Sequence, residues 1–236
     1  MTMNIAYNMD CMEYMKALPD KAVDLCLADP PYFSGPERRG FYGCKISKIG
    51  VHREYPISPC WKVPGRELFE EIQRVSKKWI VWGCNYFRFS FPPGRIIWDK
   101  CNGLSSFSDC EIAATNCHES VRLFRFMWSG MLQGKNVAEG HIMQGDKKLN
   151  EIRIHPTQKP VALYEWLLAH YARAGDKILD THLGSGSSRI AAYDAGLDFV
   201  GCEIEKHYFE VQEERFLAHA AQENLFLQIE MKEAQP

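Results

Sequence analysis

Asp29-Pro30-Pro31-Tyr32 follows the apolar run AVDLCLA at 22–28. A carboxylate at the end of a buried strand can accept hydrogen bonds from an amine, while the flat ring just beyond it can stack on a planar group. The two prolines neither donate to a ladder nor continue a helix, so the chain must leave the sheet there. A second station, Asp180-Thr181-His182-Leu183-Gly184-Ser185-Gly186-Ser187-Ser188, lies between a strand and a helix. Its glycines let backbone amides approach a ligand, and the helix start beyond favours negative charge. Glu203, at the end of the next strand, is placed to accept hydrogen bonds from ribose hydroxyls. This combination fits a nucleoside-containing ligand; the plainer reading is a tight turn whose glycines serve packing. Arg189 stands where the third glycine of a GxGxxG fingerprint belongs, which weakens a nicotinamide reading. A third station, His155-Pro156-Thr157-Gln158-Lys159-Pro160, precedes an amphipathic helix, with Thr157 able to cap it or to bind a carboxylate.

The elements that must hold these stations alternate. Strands are expected at 4–7, 22–28, 79–83, 95–99, 177–180 and 198–203, with helices at 11–18, 66–77, 161–173, 187–195 and 206–221. Two further β-rich runs, 111–115 and 121–127, read as a hairpin. Such alternation predicts an α/β fold: a doubly wound, mostly parallel sheet with an antiparallel hairpin, whose ligands sit where strands end. Trp79, Trp82, Trp98 and Trp166 fall on these elements and read as core.

The chain has 236 residues and a net charge of −2, which suits a single domain, 1–236, and does not announce a nucleic-acid binder. The charge is uneven, however. Between Gly35 and Lys62, Arg38, Arg39, Lys45, Lys48, Arg53 and Lys62 oppose only Glu37 and Glu54, with Phe41, Tyr42, Tyr55 and Trp61 interspersed. Basic groups position phosphates and aromatics stack or wedge. The nine cysteines contain no CxxC pair, so neither a disulfide framework nor a metal site is expected. No apolar run reaches the length of a membrane span, and a cytoplasmic protein is the default expectation.

In order and spacing, DPPY, HPTQKP and GSG resemble the DNA amino-methyltransferases, the N6-adenine and N4-cytosine enzymes, in the permuted group that places DPPY first. The resemblance runs from Asn8 to about Arg215. It implies a Rossmann-like, S-adenosylmethionine-dependent fold with Asp29, Pro30, Pro31 and Tyr32 as catalytic residues. For the cofactor it implies Asp10 and Cys11 near the adenine, Glu203 on the ribose, and Asp180, Thr181, His182, Gly184, Ser185, Gly186 and Ser187 around the pocket. Thr157, Lys159 and Pro160 would lie near the methionine end. The family usually has Pro-Phe where Thr181-His182 stand, a departure that puts a neutral imidazole beside the cofactor. Phe33, Arg38, Arg39, Lys45, Lys48 and Arg53, in an inserted segment at 33–64, would contact double-stranded DNA, and 129–153 is the second candidate for target recognition. Asp at position 29, rather than serine, favours adenine over cytosine. A bacterial or phage source, a homodimer and a cognate restriction enzyme accord with the resemblance. A non-catalytic nucleotide- or DNA-binding module on the same fold is the reading from another class.

Overall fold

The computed structural model describes residues 2–33, 55–56, 61–103, 108–129 and 132–233, with side chains to residue 222. Arg38, Arg39, Lys45, Lys48 and Arg53 lie outside the described residues. The elements in chain order are β1 (Asn4–Tyr7), α1 (Cys11–Lys16), β2 (Val23–Ala28), α2 (Arg66–Val75), β3 (Ser76–Trp82), β4 (Arg95–Asp99), β5 (Cys110–Thr115), β6 (Val121–Arg125), β7 (Trp128–Ser129), β8 (Leu132–Gln133), α3 (Val161–Tyr171), β9 (Lys177–Asp180), α4 (Ser187–Asp194), β10 (Asp198–Cys202) and α5 (Lys206–Glu233). Eight strands form one sheet in the order β1-β10-β9-β2-β3-β5-β4-β6, and β7 pairs with β8 alone. Within the large sheet the strands pair in parallel except where β5 meets β3 and β4.

The two-residue period of a strand explains the two cores. Along β2, Leu25 and Leu27 enter one cluster with Trp82, Leu163, Leu167, Ala191 and Phe199. Cys26 and Ala28 enter the other with Met15, Leu68, Phe69, Ile72 and Val200. Helices α3 and α4 thus cover one face and α1 and α2 the other, as a doubly wound sheet requires. Trp79, Trp82 and Trp98 are buried, and Trp166 packs partly buried against the first cluster. Ile96, on β4, is fully buried, whereas Ile142 is 45% exposed. Ile96→Val should therefore cost about 0.5–1.5 kcal/mol, while Ile142→Val stays within about 0.5 kcal/mol; urea midpoints of the two variants check this.

Two expectations need correction. The runs at 111–115 and 121–127 do not form a hairpin with each other, because β4 lies between them and pairs antiparallel with β5 and parallel with β6. Helix α2 also ends at Val75, and Ser76 and Lys77 open β3. The Ser76 hydroxyl donates to the Ile72 carbonyl at 2.5 Å, and its extended backbone turns the chain into the sheet. Among the described residues no helix is long and apolar enough to cross a membrane, and no group of His, Cys, Asp and Glu is arranged to hold a metal.

Candidate active site

Four neighbouring strands run in the same direction, and each is followed by or ends in a carboxylate. They are β1 with Asp10, β10 with Glu203, β9 with Asp180 and β2 with Asp29. The four carboxylates therefore lie in a row at the C-terminal ends of these strands, where parallel strands release their loops. Strand β5 runs the other way, so its beginning, not its end, reaches the same edge and brings Glu111 there.

Around Asp29 the side chains form a closed set. Tyr32 donates its hydroxyl to Asp29 Oδ1 at 2.6 Å and lies 3.2 Å from Glu111 Oε2. The Lys159 ammonium, 3% exposed, lies 2.5 Å from Asp29 Oδ2 and 2.9 Å from Glu111 Oε2. It also donates to the Tyr32 oxygen at 3.0 Å. Lys100 Nζ takes the other Glu111 oxygen at 2.5 Å. Burial, together with the Glu111 charge, raises the Asp29 carboxyl above its usual range against the pull of Lys159. Burial also acts on Glu111, but two lysines overcome it and hold that carboxyl well below its usual range. The Tyr32 ring stacks on Tyr86, with centroids 5.1 Å apart and planes 9° from parallel, and Tyr86 is 51% exposed. Gly83 makes this packing possible: its φ is +69°, and a Cβ there would come within 2.1 Å of the Tyr32 ring. Phe33, next in the chain, is half-buried.

The glycine turn is built on the adjacent strand ends. Gly184 and Gly186 have φ of +54° and +73°. Glu203 Oε2 accepts the Gly184 N–H at 2.8 Å, and Oε1 accepts the Glu205 N–H at 2.9 Å. Burial raises Glu203 to about 7 and Asp180 to about 6. Asp180 accepts the His182 N–H at 2.9 Å and the Ser188 hydroxyl. Thr181 Oγ1 lies 2.9 Å from His182 Nδ1, and burial lowers that imidazole to about 4, so His182 is neutral as expected. Ser185 and Ser187 are buried and lie 3.0 Å apart through their hydroxyls. Arg215 of α5 clamps the turn by donating to the Ser185 carbonyl at 2.9 Å and the Ser187 hydroxyl at 3.0 Å, and is itself paired with Glu151 at 2.9 Å. Asp10 caps α1, one oxygen accepting the Met12 N–H at 2.8 Å, and Cys11 behind it is a buried thiol kept protonated by burial. Arg189, in the place of a third glycine, is a structural residue that binds Asn4, Gln212 and Glu213.

The third station departs from its expectation in one respect. Thr157 does not cap α3, whose N-cap is Pro160; its hydroxyl instead lies 3.2 Å from His155 Nδ1. Lys159 reaches Asp29 and Glu111. Sequence reasoning left out His155, Glu111, Lys100 and Arg215. His155 packs edge-on against Tyr208 at 4.3 Å and faces Gly184. Burial and the Lys159 charge lower it to about 3, so its ring is neutral. Its place at the head of HPTQKP was a usable signal. Glu111 and Lys100 carry none, since each is a single charge beside a strand.

A family model for DNA methylases matches residues 124–214. The Type II methyltransferase M.HinfI of Haemophilus influenzae is 26% identical over 87% of this chain, which spans 66% of that protein's length. M2.DpnII of Streptococcus pneumoniae is 23% identical over 91% of this chain and 90% of its own. Among solved structures, the M1.HpyAVI complex with S-adenosylmethionine superposes with a TM-score of 0.50 at 18% identity, over 89% of this chain and 98% of that one. The cytosine-N4-specific PvuII DNA methyltransferase gives a TM-score of 0.52 at 14% identity, over 89% and 85%. The chain shares the doubly wound fold of these two structures. In the family match over residues 124–214 and in its two Type II relatives, the chain is similar to the DNA amino-methyltransferases.

Proposed function

We propose that this chain is a site-specific DNA methyltransferase that moves a methyl group from S-adenosylmethionine to the N6 amine of a flipped adenine. The observation that carries the reading is the half-buried Asp29–Tyr32 pair standing beside the carboxylate-lined glycine turn on adjacent strand ends. The donor set suits the cofactor. Glu203, which accepts the Gly184 N–H, would hold the ribose, Asp10 at the start of α1 would face the adenine, and the neighbouring carboxylates would complement the sulfonium cation. Cys11, Asp180, Thr181, His182, Ser185, Gly186, Ser187, Thr157, Lys159 and Pro160 complete the proposed lining. When bound, S-adenosylmethionine supplies an electrophilic methyl group.

The amine of adenine is a poor nucleophile because its lone pair is delocalised into the ring. Asp29 and the Pro30 carbonyl accept its two hydrogens and turn the lone pair out of the ring plane. Orientation and stabilisation of the positive charge developing on nitrogen are the two catalytic effects. Pro31 fixes the turn that points both acceptors the same way. Asp29, or water, takes the surplus proton. A duplex base cannot reach Asp29 without leaving the stack, and Tyr32, continuous with exposed Tyr86, supplies the aromatic surface that receives it.

The segment 33–64, with Phe33, Arg38, Arg39, Lys45, Lys48 and Arg53, is the proposed DNA contact, and 129–153 the proposed target-recognition segment of a single domain, 1–236. The double-stranded DNA partner, a homodimer, a cognate restriction enzyme and a cytoplasmic setting belong to the same proposal. Incubating the protein with plasmid DNA and methyl-labelled S-adenosylmethionine, then hydrolysing to nucleosides, tests it. Label on N6-methyl-2′-deoxyadenosine is expected. Label on cytosine alone overturns the adenine assignment, and cofactor binding without transfer to any DNA favours the non-catalytic module.

A further inference from the structure

Lys159 occupies the seat that the substrate amine needs. All three of its N–H donors are engaged, by Asp29 Oδ2, Glu111 Oε2 and the Tyr32 oxygen. The charges alternate in a row: Asp29, Lys159, Glu111, Lys100. An ammonium and an amine offer a carboxylate the same kind of donor, so a carboxylate neutralised by an ammonium is a weak acceptor for a neutral amine. Pulling a buried ammonium off its only counter-ion would be costly. Here a second carboxylate lies 2.9 Å from the same nitrogen, and the flexible lysine stem lets the charge pivot between the two.

We infer that Lys159 guards Asp29 until the substrate amine arrives and that Glu111 is a positioning residue, the second seat that keeps the ammonium paired when the amine takes Asp29. The inference rests on the methyltransferase reading for its effect on rate, but the shared ammonium itself does not depend on it. Lys100, held 2.5 Å from the far oxygen of Glu111, fixes that seat. Tyr32 on the DPPY turn, Asp180 on β9 and Tyr164 on α3 are the other titratable groups whose fields meet Asp29.

The experiment compares wild type, Glu111→Gln and the double variant Glu111→Gln/Lys159→Met in the full chain, by carbon-13 titration of the Asp29 carboxyl and by turnover on DNA. Losing the Glu111 charge leaves the ammonium to Asp29 alone, so the Asp29 titration should move down by about 1 pH unit or more in Glu111→Gln. Turnover should fall about 10-fold or more, with the KM for S-adenosylmethionine changed by less than about 2-fold. Removing the ammonium as well should raise the Asp29 titration again and recover turnover at least about 3-fold over the single variant. A merely structural role for Glu111 would lower turnover without moving the titration. An unmoved Asp29 titration in Glu111→Gln overturns the inference, as does wild-type turnover in that variant or a double variant no better than the single. The titration needs neither DNA nor cofactor. A wild type that transfers no methyl group while Asp29 shifts as expected therefore defeats the methyltransferase reading and leaves the shared ammonium standing.

Discussion

Asp29→Ala should bind S-adenosylmethionine within about 2-fold of wild type and lose turnover by about 10³-fold or more. The selectivity follows from the geometry. Glu203, Asp10 and the glycine turn sit after β10, β1 and β9, while Asp29 sits after β2 and touches Tyr32 and Lys159. The fold should survive, because Lys159 keeps Glu111 at 2.9 Å as its counter-ion. Asp29→Asn is the finer control. It keeps shape and one acceptor but removes the charge that stabilises the developing cation, and its turnover should lie between alanine and wild type. Calorimetry for cofactor and labelled-methyl transfer for turnover make the comparison, and turnover near the wild-type level in Asp29→Ala would remove the mechanism.

The second large effect is on pH. Burial raises Glu203 from the ordinary glutamate range to about 7. A ribose diol donates to the ionised carboxylate, so cofactor affinity should be level above pH 7 and weaken by up to about 10-fold per pH unit below it. Binding near pH 6.5 should release a proton, seen as an apparent enthalpy that depends on the buffer. Glu203→Gln should bind weakly and independently of pH, while wild-type affinity that is flat from pH 6 to 8 would refute the assignment. The cofactor-free fold shows the opposite trend. The folded pKa values of Glu203 and Asp180 lie above their unfolded ones, so their contribution is fully present below about pH 4 and is lost as pH rises through about 6 and 7. Each shift corresponds to about 3 kcal/mol at most, so the free protein should lose stability between about pH 4 and pH 7, stay level above that, and regain stability on binding cofactor.

The sequence shows the punctuated stations clearly because prolines and glycines leave local marks. DPPY ends a buried strand, GSG needs left-handed backbone, and the alternation of strands and helices around them is the fold class itself. Pairing is another matter. The connection from β5 to β6 is short enough to suggest a hairpin, and nothing local in either run shows that β4 lies between them. Ser76-Lys77 reads as the end of a helix, and only pairing with β2 makes it strand. Glu111 was illegible for a related reason. A lone glutamate early in a strand acquires meaning only when the reversed direction of β5 brings it to Lys159, 48 residues further along the chain.

The central pairing of β2 with β9 also governs how the molecule comes into being. Asp24 and Lys177 are hydrogen-bonded across 153 residues, and Leu27 stands beside Asp180 in the same ladder. Contacts that distant in sequence pay the loop-closure entropy before they return any energy, and they form late in folding. Until the final third of the chain has been made, β2 has an unpaired edge and the two halves of the cleft do not meet. A ribosome-bound fragment ending near residue 170 should accordingly carry the catalytic turn with no methyl donor site beside it. Its exposed β2 edge is also where premature pairing with another nascent copy would begin.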